Sequence, residues 1–89
     1  MNLSPKMRGA MRQMRDQGDL VRLSGGWWTY RGCEFKPKAY IGSPAVPIWY
    51  VEAHTIKALL RRELVSGSMG FPGSVTLTEA GVRWLIERG

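Results

Sequence analysis

The chain has 89 residues, a formal net charge of +6 and a pI near 10.1; a single domain this short buries only about two-thirds of the surface its unfolded form exposes. Such a charge balance favours a polyanionic partner, because Lys and Arg set against phosphates release condensed counterions whatever the base sequence. Cys33 is the lone cysteine, which excludes an internal disulfide and a thiolate metal cluster, and no apolar run approaches the roughly 18 residues of a membrane span.

From the amino terminus, Met1 to Ala10 lacks the apolar core of a signal peptide, so a cytoplasmic protein is expected. Ser4-Pro5 is a helix-start signal and Gly18 the matching stop. At 100° per residue, Met7, Ala10, Met11 and Met14 fall within about 100° of one another, and Arg8, Arg12 and Arg15 within about 60° beside them. That arginine ridge is either a solvated flank or a set of phosphate contacts. Leu20 to Leu23 and Trp27 to Tyr30, separated by Ser24-Gly25-Gly26, have the form of a hairpin. Arg31 to Pro47 shows no periodicity and carries Pro37, Pro44 and Pro47, which predicts an ordered loop or an irregular strand pair. Ile48 to Val51 is expected to add a short strand.

Residues Ala53 to Arg62 predict a helix in which Ile56, Leu59 and Leu60 point one way and His54, Lys57, Ala58 and Arg61 share the opposite arc. Leu64-Val65-Ser66 and Ser74 to Leu77 read as strands around a tip from Gly67 to Gly73. A last helix starts near Thr78, a good capping residue. Apolar groups cover more than half of its circumference, so the helix is either deeply buried or shared with a second copy of the chain; for a domain this small the shared arrangement is expected, through Val82, Trp84, Leu85 and Ile86. The sum is an α+β domain over residues 1–89, with about three helices, a C-terminal β-hairpin and an aromatic β/loop insertion in the middle.

This order of elements, and above all the pairing of Thr55-Ile56-Lys57-Ala58-Leu59-Leu60-Arg61-Arg62-Glu63-Leu64-Val65 with Leu77-Thr78-Glu79-Ala80-Gly81, resembles the winged helix-turn-helix superfamily. Within it, the chain is most similar to small bacterial and phage regulators related to the MarR class. The resemblance implies a winged-helix fold, duplex DNA as partner, transcriptional regulation, and a recognition helix over Ala53 to Arg62 in a major groove. His54, Thr55, Lys57, Ala58 and Arg61 would then face DNA, where Lys and Arg donate to guanine O6 and N7. Arg8, Arg12, Arg15, Lys36, Lys38 and Arg62 would neutralise phosphates. Three departures stand out. The tip from Gly67 to Gly73 has no Lys or Arg, and Met69 and Phe71 suggest packing against protein instead. The slot where the family places another helix is filled by Gly25 to Pro47. Glu63 occupies a turn where the family often has Gly.

Two further functions compete with duplex binding. Trp27, Trp28, Tyr30, Tyr40, Trp49 and Tyr50 are interleaved with Arg31, Lys36 and Lys38, a combination that suits single-strand or RNA binding when the rings are exposed and a core when they are not. An uncharged wing suits a protein-interaction module. Catalysis is not expected: His54 and Cys33 are 21 residues apart in sequence, no third orienting group accompanies them, and no P-loop, nucleophile elbow or HExxH spacing occurs. No metal or other cofactor is expected either.

Overall fold

The computed structural model describes residues 2–88, so Met1 and Gly89 of the expected 1–89 domain lie outside the described residues. In chain order the elements are α1 (Pro5–Gln17), β1 (Leu20–Arg22), β2 (Trp28–Tyr30), α2 (Ala53–Arg61), β3 (Val65–Ser68), β4 (Ser74–Leu77) and α3 (Glu79–Arg88). This is an α+β domain whose four strands form one antiparallel sheet in the order β2-β1-β4-β3.

Helix α1 starts where the Ser4 hydroxyl accepts the Met7 amide at 3.2 Å and Pro5 gives up a donor that would have no partner. It stops at Gly18, whose φ of 96° no side chain tolerates easily and whose amide closes on the Met14 carbonyl at 3.0 Å. Met7, Ala10, Met11 and Met14 are all buried. They press α1 against both other helices and against β2 and β4, so this stripe is the centre of the core. Met11, Leu20, Trp28, Ile56, Leu59 and Val75 are sealed completely around it.

The register aligns the parts that matter for function. Leu20 faces Tyr30 and Val75, while Arg22 faces Trp28 and its amide bonds to the Gly73 carbonyl at 3.0 Å. Trp28 in turn exchanges two 2.9 Å backbone bonds with Val51, just before α2. Hence the β1–β2 turn, the β3–β4 tip and the start of α2 all lie at one end of the sheet. The turn at Glu63 and the start of α3 lie at the other.

That second end explains the spacing of the paired motifs. Glu63 has a φ of 57°, a left-handed conformation that costs on the order of 1 kcal/mol relative to Gly. The Thr78 hydroxyl donates to the Glu63 carbonyl at 2.6 Å and accepts the Gly81 amide at 3.1 Å, and the Thr78 amide bonds to the Leu64 carbonyl at 3.0 Å. One threonine thus caps α3 and pins the left-handed turn. Gly81 passes so close to the Leu64 carbonyl that a Cβ there would overlap it.

The middle of the chain departs from the strand expected at Ile48 to Val51. Only Val51 pairs with β2 through its backbone, and the Thr29 hydroxyl ties the Trp49 carbonyl at 2.7 Å. Before it, residues 34–48 form an irregular two-stranded arm. Phe35 faces Pro47, the Lys36 amide bonds to Val46 and the Ile48 amide to Glu34, each at 2.8 Å. Pro37, Pro44 and Pro47 carry no amide proton, so a regular ladder cannot form.

Candidate nucleic-acid interface

Helix α2 sets the polarity of the surface. Thr55, Ile56 and Leu59 are buried, Ala58 and Leu60 half-buried, and His54, Lys57 and Arg61 exposed. At 100° per residue the three exposed residues span about 60°. The Nδ1 of His54 lies 3.4 Å from Glu52, whereas Lys57 and Arg61 have no carboxylate within 4.0 Å among the described residues. Glu52 makes no side-chain cap to α2, and no acidic residue occupies its first turn. The first-turn amides of α2 thus lack a side-chain acceptor, while the Glu52 carboxylate, turned to His54, offsets part of the positive end of the helix dipole.

Beside that end lies a cleft of about 560 Å³ between the first turns of α1 and α2, walled by Ser4, Pro5, Lys6 and Met7 and by His54, Thr55 and Ala58. Thr55 is only 3 % exposed, which corrects its expected place on the outward face. The α1 terminus packs over this flank of α2 and rotates the buried arc by about 40° from the one centred on Ile56, Leu59 and Leu60. Ala58 is at the rim of the cleft and not on the outer ridge.

The other expected contacts divide among several surfaces. Arg8 and Arg12 are half-buried along α1. Arg15 pairs with Asp16 at 2.8 Å, and the guanidinium holds that carboxyl below the usual carboxylate range. It also lines a small groove with Leu77, Val82, Leu85 and Ile86, well removed from the α2 terminus. Arg62 turns back to donate to the Ala58 carbonyl at 3.0 Å and sits beside Leu64, Arg83 and Trp84, on the α3 side of the molecule. Lys36 and Lys38 are exposed on the arm.

Two basic residues join the candidate surface without having been singled out in the sequence. Lys6 lines the cleft between the helices; on a wheel it falls on the other flank of the methionine stripe from the arginines, which was the available signal. Arg22 reaches from β1 to the β3–β4 tip, where it donates to the Met69 carbonyl at 3.2 Å and stands 5.7 Å over the Phe71 ring. The tip has no cation of its own, but a neighbouring strand supplies one. Register alone would have been needed to foresee it.

The expected subunit face on α3 is narrower than its sequence implies. Leu85 is buried in the domain's own core, and Trp84 is half-buried with an indole nitrogen that has no hydrogen-bond partner among the described residues. Leu85 is thus not available to a second copy. Only Val82 and Ile86 remain outward, the latter 79 % exposed. The aromatic middle contracts likewise. Trp28 is sealed in the core, Trp27 rests on Tyr50 with ring centroids 4.4 Å apart, and Tyr30 stacks on Trp49 at 6.2 Å. Of those six rings, Tyr40 alone is exposed. At the tip, Phe71 is 72 % exposed while Met69 packs against the core.

Cys33 is buried and its thiol donates to the Glu34 carbonyl at 3.3 Å. Among the described residues, no cluster of three His, Cys, Asp or Glu could hold a metal ion, and no helix is long and apolar enough to cross a membrane. Comparison with protein-family models, curated proteins and solved structures finds nothing that matches this chain.

Proposed function

We propose that this protein is a winged-helix domain that binds double-stranded DNA, with α2 as the helix that enters the major groove and transcriptional regulation as its role. Support comes from one observation above the others: Lys57 and Arg61 project from α2 opposite buried Ile56 and Leu59, with no carboxylate partner among the described residues. Helix α2 itself contains no Asp or Glu to pair with them, unlike a helix face on which charges of both signs alternate. Lys6 across the cleft adds positive charge where a phosphate would flank the groove. The sheet order, with β1 beside β4 and the β3–β4 tip at the same end of the sheet as the start of α2, supports reading that hairpin as a wing.

The decisive measurement is anisotropy of a labelled duplex titrated with the double variant Lys57→Ala, Arg61→Ala. Both side chains are exposed, so the circular dichroism spectrum and melting point stay those of the parent. Affinity is expected to fall on the order of 100-fold, since each such contact is worth about 1–3 kcal/mol. Unchanged affinity overturns the assignment of α2. Parent affinity should also fall steeply with salt, and a flat response removes the phosphate mechanism.

A homodimer through the Val82 and Ile86 ridge completes the proposal, because an apolar pair on one helix face is best covered by its own copy about a twofold axis. Sedimentation velocity should report a dimer that Ile86→Glu dissociates. A monomer for the parent protein at every concentration eliminates the pairing.

A further inference from the structure

The arm at residues 34–48 is the least accounted-for part of the molecule. Its apex is a turn in which the Ser43 amide bonds to the Tyr40 carbonyl at 3.1 Å and Gly42 adopts a φ of 89°, the left-handed third position that a type II turn demands. This geometry holds Ile41 at the summit. Ile41 is fully exposed, Tyr40 is 67 % exposed, and Phe35 and Ile48 are each about half exposed at the base. Apolar side chains scattered singly need no explanation, but four within one projecting element do.

Charge narrows the identity of whatever covers them. The arm holds Lys36 and Lys38 against a single acid, Glu34 at its base, and neither lysine has an ion-pair partner among the described residues. This balance fits an occupant that is anionic as well as receptive to an apolar tip. A protein strand added to the arm's edge fits poorly, because Pro37 and Pro44 remove backbone donors on both sides of the apex. Location points the same way. Phe35 and Ala45 share a pocket with Leu23, Ser24 and Trp27 of the β1–β2 turn, at the sheet end where Arg22 crosses Phe71 and α2 begins. From the Phe35–Pro47 pair to Ile41, six residues can span at most about 20 Å. That reach exceeds the roughly 12 Å width of a major groove.

We infer that the arm is a second DNA-contacting element, with Lys36 and Lys38 on backbone phosphates and Ile41, flanked by Tyr40, wedged into the adjacent minor groove. The inference rests on the duplex-binding role of α2 proposed above. Apolar wedges between base steps are a recurrent way of gripping the minor groove, and two lysines beside the wedge neutralise the phosphates that line it.

The test uses the full-length protein, a labelled random duplex and a fluorescent dye that occupies the minor groove. Lys36→Ala, Lys38→Ala together should make the salt dependence of binding shallower by about 2 in the log–log slope and weaken affinity about tenfold at moderate salt. Ile41→Ser should leave that slope unchanged but fail to displace the dye that the parent protein displaces. All three side chains are exposed, so melting points identical to the parent's establish that the fold is intact. If both arm variants bind and displace dye like the parent while Lys57→Ala, Arg61→Ala loses the duplex, the arm is not a contact and the role of α2 survives. If none of the variants changes binding, both assignments fall. Loss of single-strand binding with duplex binding untouched also overturns the inference, in favour of a stacking site at Tyr40.

Discussion

Two hairpins border the β1–β2 turn, and they are built on opposite principles. The β3–β4 hairpin keeps four paired residues on each strand and passes Gly67 and Gly73 so close to neighbouring backbone and to Trp28 that no side chain would fit at either. Its tip is anchored by Arg22 and carries no charge of its own. The arm at 34–48 has a few backbone bonds, three prolines, two lysines and an apolar summit in solvent. Rigidity and charge have been separated: the hairpin that the core positions is neutral, and the charged one is held mainly at its base. A duplex bound as proposed would meet a helix and a hairpin fixed by the core beside an arm tied by fewer bonds.

The difference is open to direct attack. The largest effect is expected for Gly67→Ala, which needs a φ of 142° and places a Cβ on the Ser74 carbonyl; unfolding in urea should show a loss on the order of 3 kcal/mol. A midpoint within error of the parent would mean that the β3–β4 hairpin is as loosely tied as the arm. The smaller effect belongs to Gly42→Ala at the arm's apex, where φ is 89° and nothing lies within 4 Å of the new Cβ. Local strain of about 1 kcal/mol should be absorbed within the arm, leaving the global midpoint in place and raising amide exchange only near Ser43. A matching drop in global stability would show that the arm unfolds together with the core.

Legibility in the sequence followed the locality of the bonds. Helix α1 was readable because each of its determinants, the Ser4 cap, Pro5, the methionine stripe and Gly18, acts within four residues. The β1–β2 and β3–β4 hairpins and the cap at Thr78 were readable for the same reason. Thr55 was misplaced because its burial is imposed by the first turn of α1, some fifty residues away, and not by the apolar letters of its own helix. Leu85 looks like an interface residue on a wheel, which cannot tell which apolar residues the domain's own core will claim. For the arm the sequence leaves an ordered loop and an irregular strand pair equally open, since proline-interrupted backbone bonds leave no period to read. Arg22 and Lys6 were passed over because only the register and the packing of α1 on α2 bring them to the candidate surface.

The joint made by Thr78, Glu63 and Gly81 has a consequence for scale. It couples the last turn of α2 to the first turn of α3 through a handful of atoms, with no flexible linker between them. In two copies clasped along α3, the separation of their basic helices would be dictated by this short strut, much as a hinge pin fixes the gap between two doors. The distance between recognised half-sites on DNA would then be inherited from one threonine hydroxyl and one missing methyl group.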